Sequence, residues 1–191
     1  MNSCYAERKS YDNIIRMKLF LTILLNIFIA VSILYLLILI IDVTFVISFS
    51  SIMKHHAHDL TVILTNKRDN LAKLAECLTN SGIKLDKKKM EKLQNFDTKR
   101  LEIKDDEDSK AAREELTSIN EYLLSVCEQN QIKDKDGEYQ KTIDNIYELE
   151  KVYRQHLMMY NADVLGYNFW IAFVPTRFIY IVLKFKNKEN I

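Results

Sequence analysis

The chain has 191 residues, and 27 basic against 26 acidic side chains leave a net charge of +1, so no global field draws nucleic acid or an acidic substrate. Three glycines and one proline are too few for the many tight turns of an all-β fold, and the composition predicts long helices joined by few loops. Cys4, Cys77 and Cys127 are odd in number and lack CxxC or Cys/His spacing, which indicates neither a disulfide framework nor a structural zinc site and predicts reduced, buried thiols.

Residues 1–18 form a short tail carrying Arg8, Lys9, Arg16 and Lys18 against Glu7 and Asp12. From Leu19 to Met53 the sole charged residue is Asp42. Residues 19–41 alone suffice for a transmembrane anchor, because about 20 apolar residues in a helix cross roughly 30 Å of hydrocarbon. A cleaved signal peptide has an apolar core of about 7–15 residues and then a small-residue cleavage site. Here the core is longer and bulky residues continue to Ile41, so an uncleaved, single-pass anchor in the cell membrane is expected. The positive-inside bias favours a cytoplasmic N-terminus with the body outside, although free thiols would sit more easily in the cytosol.

Residues 42–58 stay mostly apolar but are too short to cross again, and they read as an interfacial continuation of the same helix. His55, His56 and His58 follow as a solvated juxtamembrane collar. As metal ligands they diverge around the helix and have no cysteine or carboxylate partner at ligand spacing.

The body, residues 59–175, reads as a helical bundle. Leu60, Leu64, Leu71, Leu74 and Leu78 recur at steps of three, four or seven, with Lys67 in the skipped place, and Ser81-Gly82 supplies a stop after about Asn80. Met90, Leu93 and Phe96 suggest a shorter helix or the start of a loop. The charged run Lys104 to Lys110 is a solvated turn or a helix start. Ala112, Leu116, Ile119, Leu123 and Val126 restore helical spacing to about Asn130, and Lys133 to Gly137 is the clearest linker. Next comes a heptad helix with two seams. One runs Tyr139, Ile146, Tyr153, Tyr160, Tyr167, Val174, and the other Ile143, Glu150, Leu157, Val164, Ile171, broken only by Glu150. Pro175 closes it. The fold class is therefore all-α: an N-terminal transmembrane helix, then an antiparallel up-and-down bundle of three to four helices. The aromatic and basic C-terminal segment, residues 176–191, has three readings: folding back on the bundle, lying on a membrane or partner surface, or crossing the membrane again.

The stretch Tyr160-Asn161-Ala-Asp-Val164-Leu-Gly-Tyr167-Asn168-Phe-Trp-Ile171-Ala-Phe-Val174-Pro175 resembles the signature end of the LemA family of bacterial membrane proteins. Its spacings match, with Val174 where that family usually has Phe. Upstream, Lys67-Arg68-Asp69 through Leu74 and Glu76 is similar to the family's first-helix motif, with Ala72 and Lys73 in place of Pro-Asn. Glu150 matches an acidic position, and Leu157 replaces an arginine. The resemblance implies a membrane-anchored antiparallel bundle of undefined biochemical role, whose motif residues are Tyr160, Asn161, Val164, Tyr167, Asn168, Ile171 and Pro175 with Asp69, Leu74 and Glu76.

Physically, Tyr160 and Tyr167 belong to a buried seam, while Asn161 and Asn168 can hydrogen-bond to a neighbouring helix and fix its register. The competing reading makes the same residues a ligand or partner groove. No nucleophile motif, Gly-rich phosphate loop or Glu-x-x-His pair occurs, so neither enzymatic activity nor a cofactor or metal is expected. The expected partners are the membrane, through the anchor, and an unidentified protein, with no nucleic acid. The leading functional expectation is a membrane-tethered scaffold or protein-interaction module. The alternative is a lipid-binding or membrane-remodelling protein that uses the aromatic C-terminal segment.

Overall fold

The computed structural model describes residues 2–104, 106–130, 137–173, 176–182 and 184–191, with side chains from residue 16 onward. Val174, Pro175 and most of the 133–137 linker lie outside the described residues. Those described form an all-helical chain without strands.

Helix α1 runs unbroken from Asn2 to Asn80, 79 residues and about 118 Å at 1.5 Å per residue. Its N-terminal half presents Leu19, Phe28, Leu34 and Ile41 to the surroundings, each more than half exposed. That stretch is long and apolar enough to cross a membrane by length and composition. Its far end stops as the Ser81-Gly82 pair predicts. Gly82 takes φ +81°, and the amides of Gly82 and Ile83 return to the carbonyls of Thr79 and Leu78, which satisfies the last turn.

The chain then doubles back along α1 through α2 (Lys87–Gln94) and a 3-10 turn (Thr98–Leu101). Asp86 caps α2 by accepting from the Lys88 amide at 2.8 Å, and Arg68 of α1 donates to the Leu93 and Gln94 carbonyls at its other end. Helix α3 (Glu107–Gln129) starts inside the charged run: Asp106 accepts from the Ser109 amide at 2.7 Å, and Glu107 and Asp108 suit the positive end of the helix dipole. Helix α4 (Glu138–Ile171) carries the heptad seams back, and α5 (Arg177–Val182) follows.

Two cross-pairs fix α4 antiparallel to α1, Lys67 with Glu150 and His56 with Asp163, and beyond the end of α4 Thr176 meets Asp42 in the same direction. Two clusters result. The distal one gathers the predicted leucines Leu64, Leu71, Leu74 and Leu78 with Leu93 and Leu101, Leu116, Ile119 and Leu123 of α3, and Ile146. The proximal one is smaller, built on Val46, Met53, Val164, Tyr167, Ile171 and Tyr180. Gly166 lets the helices close there, since a Cβ at that position would lie 2.6 Å from the Phe49 ring. The C-terminal segment folds back, with Tyr180 buried in the proximal cluster. Cys77 and Cys127 are not in a disulfide, and both are half-buried, more open than expected.

Candidate functional site

On α4, Val164, Tyr167 and Ile171 are buried against α1, and Tyr160 packs partly buried beside them. The two asparagines lie one step round the helix and do not reach another helix. Each holds the backbone of the segment 184–191 instead. Asn168 donates Nδ2 to the Lys188 carbonyl at 2.8 Å and accepts from the Lys188 amide at 2.9 Å. Asn161 does the same to Ile191, at 3.0 and 3.1 Å. A carboxamide has an acceptor arm and a donor arm, which match the N–H and the C=O of a single extended residue.

The spacing explains the shape of the bound segment. Seven residues of helix rise about 10.5 Å, and three residues of chain cover that distance only when almost fully extended. The segment therefore runs extended and antiparallel to α4, between it and α3, where Glu189 meets Lys110 at 3.4 Å. Residues 184–190 are exposed and Ile191 is half-buried, so the segment is held chiefly by these backbone bonds, with Phe185 edge-on to Tyr180 at its start.

Next to Ile191 the groove deepens between α3 and α4. Arg113 and Thr117 line both the mouth shared with Ile191 and a cleft of about 290 Å³ beyond it. Across the cleft, Lys67 contacts Glu150 at 2.5 Å, and Arg154 approaches the same carboxylate at 3.4 Å. The two charged residues that interrupt the apolar seams of α1 and α4 thus meet each other. Burial alone would raise the Glu150 carboxyl, but the hydrogen bonds and charges of Lys67 and Arg154 outweigh it and hold it below its ordinary value. Two further polar atoms at the cleft are buried without a hydrogen-bond partner, Nη1 of Arg113 and Oδ1 of Asn120. Burial also pushes the Tyr153 phenol up.

The histidine collar needs correction. His56 is partly buried, not solvated, because α4 brings Asp163 within 3.4 Å of its Nδ1 and sets His156 against it with ring centroids 6.0 Å apart. Asp59 lies between His55, at 3.6 Å, and His156, at 3.7 Å. Carboxylate partners therefore exist, but only helix pairing supplies most of them. Among the described residues no group of three or more of these side chains is placed to hold a metal ion. Nearer the apolar stretch, Thr176 donates to the fully buried Asp42, and burial together with that carboxylate pushes the Tyr180 phenol up.

The first-helix block has a separate place. Leu74 is in the distal core, Asp69 is exposed beside Arg68, and Glu76 is exposed. The pairings of His56 and Lys67 put Asp69 roughly 15 Å along the bundle from Tyr160, so the two blocks form no common site. Arg113 and Asn120 escaped the sequence reading. With Thr117 they recur at steps of four and three, a polar stripe beside the apolar one that α3 turns toward α4. Burial pushes the titration of the half-buried Cys127 thiol up.

No family model, curated protein or solved structure matches this chain.

Proposed function

We propose that this chain is a membrane-tethered helical bundle of the LemA type that works as a scaffold or protein-interaction module, with residues 19–41 spanning the membrane once. One observation carries the reading: the apolar, exposed stretch and the leucines of the distal core lie on a single unbroken helix. A bundle built around the continuation of its own anchor is held at a fixed distance and rotation from the membrane, as a platform for a partner requires. In-cell crosslinking followed by purification of the full chain from detergent tests this. A reproducible crosslinked partner is expected, and recovery of monomer alone overturns the reading. The N-terminus is cytoplasmic and the bundle outside, so Cys77 and Cys127 label with a membrane-impermeant maleimide in intact cells. Labelling only after permeabilisation reverses the orientation.

A second reading, lipid binding by the C-terminal segment, is favoured by a different observation. Just past the apolar stretch, Phe45 stacks on Trp170 at 4.6 Å, while Phe178, Ile181 and Val182 stay exposed beside Arg177 and Lys184. Aromatic and basic side chains at that depth suit the headgroup region. In nanodiscs of anionic and zwitterionic lipid, Phe178→Ser with Ile181→Ser weakens the protection of α5 from hydrogen exchange if this reading holds. Equal protection in both variants rejects it.

A further inference from the structure

We infer that the cleft walled by α1, α3 and α4 is a binding site for a small carboxylate of dipeptide size that carries an N–H donor and an apolar side chain. The inference goes beyond the scaffold reading and does not rest on it.

Leu64, Leu116 and Ile146, all buried, give the cleft an apolar lining, and its volume of about 290 Å³ is that of roughly ten waters. Not all of its polar side chains are matched. Lys67 and Arg154 both turn to Glu150, and Glu121 is exposed. Arg113 makes no ion pair with any described residue, and its Nη1 is buried without a hydrogen-bond partner. Its acidic neighbour Glu114 is exposed and lines the outer mouth rather than the cleft. Asn120 is 9% exposed, its side chain bonds to no described residue, and its Oδ1 is buried. Buried polar atoms left unpaired destabilise a fold, and a leucine at position 120 would remove one of them.

The two atoms ask for opposite things. The guanidinium is positive and donates, whereas Oδ1 of Asn120 accepts. A purely anionic or purely basic ligand would answer one and leave the other buried and unpaired. Both residues stand in the α3 wall, seven positions and about 10.5 Å apart along the helix. A single water joins partners about 6 Å apart, whereas two extended residues with a hydrogen bond at each end reach about 13 Å, which suits that interval better. A carboxylate meets Arg113 in charge-assisted bonds, an amine or amide N–H meets Asn120, and an apolar side chain between them meets the leucines.

The test is calorimetric titration of the full chain in detergent micelles with two probes, the dipeptide glycyl-leucine and its uncharged C-terminal amide, glycyl-leucinamide. Glycyl-leucine is expected to bind saturably, one per chain, and the amide at least about ten-fold more weakly, since it lacks the group that meets Arg113. Arg113→Gln removes the difference between the two probes. Asn120→Leu abolishes binding of glycyl-leucine while raising the melting temperature of the free chain by about 3 °C, because an unpaired buried amide has gone. Comparison of the two probes on the unaltered chain needs no variant, so the test stands even where a substitution prevents folding. Hydrogen exchange then locates the site, with the α3 amides around Thr117 slowed by glycyl-leucine. Absence of saturable binding overturns the inference, as does equal binding of the two probes. Binding undiminished in both Arg113→Gln and Asn120→Leu assigns the heat to the micelle or to another surface and overturns it too.

Discussion

Around Leu71, Leu74 and Leu78, α1 is surrounded by leucine and isoleucine, whereas around Asp42, Met53 and His56 the same helix meets aromatic rings, histidines and carboxylates. The helical backbone does not change between the two regions, so the difference lies in the side chains of α1 and in those packed against them. At the distal end Lys67 is matched by Glu150, while Nη1 of Arg113 and Oδ1 of Asn120 are buried without a hydrogen-bond partner. At the proximal end Asp42 Oδ1 and Tyr180 Oη are also buried without a hydrogen-bond partner, and so are His56 Nδ1 and Asp163 Oδ2, which face each other at 3.4 Å. Unsatisfied buried groups cost free energy that apolar contacts elsewhere must offset. Both ends carry such groups, but the distal cluster is the larger and the richer in fully buried leucine, so it contributes more of the offset and holds the fold.

Truncation in the distal core probes this contrast most severely. Leu74→Ala is expected to cost about 2–5 kcal/mol in thermal or denaturant melts, since the site is fully buried among rigid neighbours. A loss equal to that of a proximal truncation such as Val164→Ala would erase the distinction. The Lys67–Glu150 pair comes next. Lys67→Met should cost about 2 kcal/mol, less than the 3–5 of a wholly buried pair because Glu150 is partly open. Adding Glu150→Leu should recover most of it, and a double-mutant cycle without coupling would show that the pair is incidental.

The same carboxylate sharpens the comparison through pH. Its folded titration lies below its unfolded one, so its contribution is full above the unfolded value of about 4.3 and is lost as pH falls through the lowered folded value. Acid melts of Glu150→Gln should lack that part of the slope below about pH 4. The smallest expected effect is proximal. Gly166→Ala gains helix propensity but pushes on the Phe49 ring, for a net loss of about 1 kcal/mol. A stabilised Gly166→Ala would mean that the ring moves aside without cost.

Much of the bundle was legible because helical periodicity is a local property. The leucine steps of α1, the Gly82 stop, the apolar stripe of α3 and both seams of α4 all follow from residues a few positions apart. The two flaws in those seams, Lys67 and Glu150, were visible separately, yet their pairing depends on the relative slide of two helices, which no local pattern encodes. The same limit hid His156 and Asp163 from His56, and Arg113 from the cleft. Asn161 and Asn168 stood out by their repeat, but their partners lie in an extended segment that has no periodicity to read.

The unbroken course of α1 makes the molecule a lever. In the membrane-tethered reading, Asp42 is near the fulcrum, and the 38 residues from there to Asn80 form an arm about 57 Å long. A change of about 10° in the tilt of the span swings the tip of the bundle by about 10 Å, and a twist of the span turns every face of the bundle with it. Bilayer thickness alone alters such tilts. A shift too small to disturb lipid packing would then move the outer end by the width of a helix.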